Sequence, residues 1–340
     1  MIAGALAATG LMAGALIKPA LAGDQLTVVS WGGTYQPILR KNVFEPFSKA
    51  TGIKITEDVY SGDIGKIRAM VESKTVSWDV IDAASSGAWI MCDQGLLETI
   101  DWNKVGLDRA KFGDAGKFNC GVPSQINRTI VYYEKNNPNP PKTIADLFDT
   151  KKFPGKRGLW KNPYPNLEWA LIADGVPIKD VYKVLNTPEG VDRAFKRLDT
   201  IKNDVIWWTT GAQAVQLLAN RQVIMTAAWT SKASNELFET MWDAAQGGFS
   251  WWAIPKGSPH LEEAYKFLAF AGSPQPQADV TRDAPYGPAN KDAMALVDPK
   301  VLATLPNTPE RDAIAVNTDF AFWIDKGDEL RQRFNAWLAK

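Results

Sequence analysis

LTVVSWGGTY, residues 26–35, is an apolar, β-branched run that breaks into a tryptophan, two glycines, a threonine and a tyrosine. The run reads as a strand, because β-branched side chains suit a pleated, buried surface. The next stretch has a helical period: Ile38, Leu39, Val43, Phe44 and Phe47 recur three to four residues apart, and Gly52 stops the helix before the extended segment IKIT. The unit then repeats. Ile64, Ile67 and Val71 share one helical face, WDVIDA (78–83) reads as a buried strand, SSG turns, and Trp89 to Leu97 reads as a further helix. Strands alternating with helices at this spacing predict an α/β fold with a parallel sheet covered on both faces. In such sheets ligands sit beyond the carboxyl ends of the strands. That rule selects Ser30, Trp31, Gly32, Gly33, Thr34 and Tyr35 at the end of the first strand, and Ser85, Ser86 and Gly87 at the end of WDVIDA, as two segments lining one rim.

A second α/β region comes next, with helices expected in TIADLFD, GVDRAFKRL and TTGAQAVQLLANRQV and a strand ending RQVIMTAAW. Two extended stretches lie between the regions: Ile126 to Tyr133, and Phe249 to Ile254 in GGFSWWAIPKG. After residue 22 about 318 residues remain, roughly twice a typical domain. Two crossing strands in such a chain predict two interleaved lobes, residues 24–125 plus 253–290 and residues 126–252 plus 291–340, joined by a two-strand hinge that permits closure over a ligand.

Residues 1–22 read as a secretory signal, with an apolar stretch from Ile2 to Ile17 and a small-x-small end at Ala20-Leu21-Ala22, although its one cation, Lys18, comes after the apolar core. The expected place of work is therefore periplasmic. Lysine plus arginine and aspartate plus glutamate are 38 each, which leaves no electrostatic footprint for nucleic acid or an anionic membrane. In an oxidising compartment Cys92 and Cys120 are expected to form a disulfide, the alternative being two buried thiols.

Catalytic signatures are thin. His260, the single histidine, sits between a proline and a helix and reads as a surface loop residue. One histidine does not make a His-based zinc site, and it disfavours a Ser-His-Asp triad. No phosphate-binding glycine loop and no C-x-x-C motif is found, and no metal or cofactor is expected. Adjacent Tyr132 and Tyr133 are a possible ferric pair, but neighbours on a strand point to opposite faces. Aromatic residues, in contrast, recur at strand ends: Trp31 and Tyr35, Trp229, Trp251 and Trp252, and Tyr286. Trp207-Trp208-Thr209-Thr210-Gly211 precedes a helix, so Thr209 or Thr210 can cap it and its first amides can face a ligand oxygen.

Taken in order, SWGGTY, FSKATGIKI, WDVIDAASS, GLLETIDW, IADLFDTKKFPGKRGL, AAWTSKAS, WWAIPKGS and YGPANKDA resemble the extracellular solute-binding proteins of ABC importers, of the spermidine/putrescine-binding type. The resemblance implies a type II periplasmic-binding fold, one small solute between two lobes, no catalysis, a membrane permease as partner, and a monomer. It carries a ligand role to Trp31, Tyr35, Ser85, Trp229 and Tyr286. Where polyamine binders of that type place acids, this chain has Lys161, Pro165 and Ser250. A buried polyammonium ion without carboxylates is costly by several kcal/mol per charge. The expected ligand is therefore a carboxylate or zwitterion of amino-acid type, with Arg128, Arg282, Lys161 and the helix after Thr210 as donors and with Gly33, Ser86, Ser250 and Trp251 also on the site. Two alternatives stay open: a polyamine held by acids such as Asp82 or Glu168, and an exported carbohydrate-active enzyme with paired carboxylates.

Overall fold

The computed structural model describes residues 25–230, 237–284 and 286–340, so the expected signal lies outside the described residues. Among the described residues nine strands make one mixed sheet. β1 (Gln25–Ser30), β2 (Lys54–Val59) and β3 (Val80–Ala84) are parallel neighbours, as the opening stretch predicts. At the centre run two long antiparallel strands, β4 (Val122–Glu134) and β8 (Phe238–Ala253). Beyond them lie β7 (Met225–Trp229), then β5 (Arg157–Trp160) and β6 (Val205–Trp208), while β9 (Gly287–Pro288) pairs with β4. Of the two extended stretches read from sequence, Ile126 to Tyr133 lies within β4, and Phe249 to Ile254 covers the carboxyl end of β8 and one residue beyond it.

Separate cores lie on either side of this central pair. One gathers Leu26, Phe44, Phe47, Trp252, Phe267 and Leu268, and a neighbouring one gathers Val29, Ile81, Phe118 and Trp251. Trp251 and Trp252 join different clusters because adjacent strand residues face opposite sides of the sheet. The larger core holds Ile130, Leu159, Trp169, Phe195, Trp208, Met225 and Phe334. Each wholly buried aromatic or leucine contributes about 1.5–3 kcal/mol by leaving water. Residues 291–302 do not join that larger core: Ala293 and Val297 pack with Ala278 of the helix Pro274–Asp283.

Cys92, in the helix Ser85–Asp93, is disulfide-bonded to Cys120, just before β4. Closing a loop of about 29 residues stabilises by about 3–4 kcal/mol in the chain-entropy account. His260 is not the solvated loop residue its sequence context suggests. Its Nδ1 lies 3.0 Å from Oδ1 of Asp79, a buried carboxylate that also accepts from Ser258 Oγ and the Thr27 amide, each at 2.7 Å. The Tyr132 hydroxyl donates to the Thr230 carbonyl at 3.1 Å, so it is spent inside the fold. Among the described residues no helix is long and apolar enough to cross a membrane.

Candidate functional site

β1 pairs parallel with β2 and with β3, so the carboxyl ends of the three strands lie at one edge of the sheet. Gly32 and Gly33 have φ of 65° and 59°, a left-handed turn that side chains disfavour, and it swings Trp31 outward before the helix Tyr35–Leu39 begins. Trp31 is 37% exposed and lies against Tyr60, ring centroids 4.9 Å apart. Tyr35 is inward: its hydroxyl donates to Gln125 Oε1 at 2.7 Å, and its ring meets Tyr286 edge-on at 5.2 Å. Ser250, paired with Gln125 across the β4–β8 ladder, is buried beside this group. The Ser85 hydroxyl donates to the Phe249 carbonyl and accepts from the Phe249 amide, both at 2.7 Å, which ties the helix Ser85–Asp93 to β8. Ser86 is the next residue in the first turn of that helix.

Asp82, 0% exposed, sits under this rim on β3, one residue past the Val29–Ile81 pair that joins β3 to β1, and Ser30 stands at the same step on β1. Neither carboxylate oxygen has a hydrogen-bond partner, and Ser30 Oγ has none either. Trp31, Tyr35 and Ser30 stand near enough to draw the carboxyl toward its charged form, yet none meets hydrogen-bond geometry; desolvation wins and pushes its pKa up to about 7. The Tyr60 hydroxyl donates to the Asp82 backbone carbonyl at 2.8 Å, which fixes the strand and not the acid.

A second aromatic group stands at the ends of β5, β6 and β7. Trp160 and Trp208 stack at 6.2 Å, and Trp229 packs edge-on to both, each at 5.6 Å. Lys161 is the next residue after β5, exposed, with its amide donating to the Trp208 carbonyl at 2.8 Å. Thr210 caps the helix Gly211–Ala219 in a capping box with Gln213. Nearby, Tyr164 donates or accepts at 3.0 Å with Thr318 Oγ1 and lies 3.1 Å from the Gly247 carbonyl. Glu168, 0% exposed, accepts through Oε1 from the Tyr182 hydroxyl at 2.8 Å and from Trp323 Nε1 at 2.9 Å; burial pushes its pKa up to about 7.

Other expected residues lie elsewhere. Trp251 is interior: its indole N–H donates to the Ala115 carbonyl at 2.9 Å, and its ring packs on Phe118. Arg128 is buried on the face of β4 opposite Gln125; Nε donates to the Pro306 carbonyl at 2.8 Å and the guanidinium pairs with Asp312, which leaves Nη1 without a partner. Arg282 donates to Asp279 of its own helix at 2.6 Å and to Asn42 Oδ1 of the Arg40–Phe44 helix at 3.2 Å. Sequence reasoning passed over Tyr60, Gln125, Trp160 and Tyr164. Tyr60 and Trp160 stand at strand ends, so the same rule reaches them once those strands are drawn.

Residues 42–310 match the model of the bacterial extracellular solute-binding protein family. The chain is 39% identical over 329 residues to a γ-aminobutyric acid-binding protein of Pseudomonas aeruginosa, covering 93% of this chain and 92% of that one. Among solved structures it resembles the Atu4243–GABA receptor, with a TM-score of 0.83 at 36% identity over 93% and 98% of the two chains. It likewise resembles MotA of Agrobacterium tumefaciens B6, solved with glucopine, with a TM-score of 0.83 at 31% identity over 92% and 99%. The Streptococcus pneumoniae spermidine/putrescine-binding protein, at 18% identity and a TM-score of 0.72, shares the fold alone. These relatives bind solutes and are not enzymes, which sets the carbohydrate-active alternative aside. The chain belongs to the bacterial extracellular solute-binding proteins: it is a periplasmic receptor with a periplasmic-binding fold that captures a small organic solute for an ABC transporter.

Proposed function

We propose that the solute is a small zwitterion of the γ-aminobutyrate type, with its carboxylate held by the second aromatic group. The observation that carries this is Lys161, exposed at the end of β5, hydrogen-bonded through its amide to the Trp208 carbonyl and hence beside the Thr210-capped helix start. A lysine and a helix amino terminus together suit an anion. The γ-aminobutyrate-binding relatives, similar over nine-tenths of the chain, support the same class. Trp31, Tyr35 and Tyr286 form the opposing wall, Trp229 backs Lys161, and Ser85, Gly33 and Ser250 shape the floor. Arg128 holds the 305–312 segment in place.

In this reading the lobes close about β4 and β8, the first comprising residues 24–125 plus 253–290. The second comprises 126–252 and resumes only after residue 302, given the packing of 291–302 on the helix Pro274–Asp283. The receptor works as a monomer, which light scattering tests. Calorimetry on ligand-stripped protein tests the ligand: γ-aminobutyrate binds with micromolar or tighter affinity, and Lys161→Ala weakens it about tenfold, a loss of about 1.4 kcal/mol. Tight putrescine or spermidine binding without γ-aminobutyrate binding refutes the zwitterion.

A further inference from the structure

We propose that Asp82, with Ser30 beside it, is the seat for a primary ammonium group, the cationic end of the captured solute. The proposal rests on the zwitterion reading above for the identity of that solute, but its geometry is independent of it. Three oxygens, Asp82 Oδ1, Asp82 Oδ2 and Ser30 Oγ, lie one residue past the Val29–Ile81 pair of β1 and β3, buried and without hydrogen-bond partners. Buried acceptors left unpaired are costly, and a carboxylate most of all, unless a cation or donor completes them. Ser30 comes from β1, Trp31 and Tyr35 from the turn and helix after it, and Tyr60 from the residue after β2. Tyr35 and Tyr60 are the titratable side chains facing the acid, and both are neutral phenols. Among the described residues no lysine, arginine or histidine pairs with Asp82. The positive charge the site calls for is therefore supplied from outside the chain.

An ammonium ion fits the remaining surroundings. It offers three donors to three acceptors, and the rings of Trp31, Tyr35 and Tyr60 supply the negative π faces that favour a desolvated cation. Trp31, partly exposed and near enough to act on the Asp82 carboxyl, is followed by the Gly32–Gly33 turn. A rotation of that indole opens the seat.

Burial holds the Asp82 carboxyl protonated up to about pH 7 in the empty receptor. Seating an ammonium ion then requires the carboxyl to give its proton to solvent, so one proton is released for each solute bound below that pH.

The experiment is calorimetry on ligand-stripped wild type and Asp82→Asn, with γ-aminobutyrate, butyrate, butylamine and putrescine as probes, between pH 5 and 8. The expected result is that wild type binds γ-aminobutyrate, with affinity falling up to tenfold per pH unit below about pH 7. Asp82→Asn binds it at least 30-fold more weakly with a flat pH profile, and butyrate binding is equal in both proteins. If Asp82→Asn matches wild type for γ-aminobutyrate at every pH, the ammonium seat is wrong and the receptor reading stands. If wild type binds putrescine but not γ-aminobutyrate, and Asp82→Asn loses putrescine, the seat stands and the zwitterion reading fails. A wild type that binds none of the amine probes overturns both. A thermal melt of Asp82→Asn accompanies the titrations; a variant with wild-type melting temperature shows that its loss of affinity is local.

Discussion

Trp31 and Trp251 look alike in the sequence, each at the edge of a strand and a glycine or serine, and the structure gives them opposite work. Trp31 stands on the rim, over a third exposed, while Trp251 fills the interior with its N–H satisfied by the Ala115 carbonyl. Strand period alone does not tell which face of β8 points at a core, because both of its faces are covered here. Two substitutions separate the roles. Trp31→Ala is expected to weaken γ-aminobutyrate binding tenfold or more and to leave urea stability within about 0.5 kcal/mol, since an exposed ring carries little of the fold. Trp251→Ala is expected to cost about 3–5 kcal/mol through the cavity it leaves. Equal destabilisation by the two variants would mean that Trp31 is structural. Asp82 stands out in the sequence as an acid that could meet a cation, but its isolation is not legible there, because that depends on which donors in and after β1 and β2 fail to reach it. His260 shows the reverse, a partner 181 residues away in sequence that no local signal announces.

Among the elements, the parallel units β1 to β3 were legible because each strand is short, apolar and bounded by glycine or helix signals. The two long central strands run further than the sequence suggests. β8 begins at Phe238, 11 residues before the Phe249 edge visible in the sequence, because ETMWDAAQ has neither alternation nor a continuous apolar run. Its pairing with β4 holds it extended, an example of tertiary contacts overriding local preference. Helix Pro188–Asp199 shows a second kind of hidden constraint. Its period was plain, yet Gly190 is fixed by packing: a Cβ there would stand 1.9 Å from the Val184 carbonyl oxygen, at the end of the helix Val181–Leu185. Gly190→Ala therefore sets two effects against each other. Helix propensity favours alanine by about 1 kcal/mol. Forcing the two helices apart costs about 3 kcal/mol and wins. Urea denaturation should show net destabilisation of about 2 kcal/mol, and a more stable variant would show that the helices part freely.

At the scale of the whole molecule, two of the buried acids, Asp82 under the first rim and Glu168 on the helix Pro163–Ala173, bear on how stability responds to pH. Glu168 is the cleaner case, being bonded to Tyr182 and Trp323 at one oxygen and having no part in the proposed ligand contacts. Its carboxyl is raised from an ordinary 4.5 to about 7 by desolvation. Between those values the folded protein keeps a proton that the unfolded chain has released, so the native state binds more protons and stability falls as pH rises. The contribution is complete below about pH 4.5 and is lost as pH climbs through about 7. Carboxyls held low by partners, such as Asp146 beside Lys152, act in the opposite direction and only at more acid pH. Glu168→Gln keeps an acceptor for Tyr182 and Trp323 but cannot ionise. The stability of wild type relative to this variant should therefore drop by roughly 1–3 kcal/mol between pH 5 and pH 8, a slope of at most about 1.4 kcal/mol per unit. Urea denaturation of ligand-free protein at each pH measures it. A difference that stays constant across that range would mean that Glu168 is already ionised in the fold, with Oε2 reached by a donor from solvent.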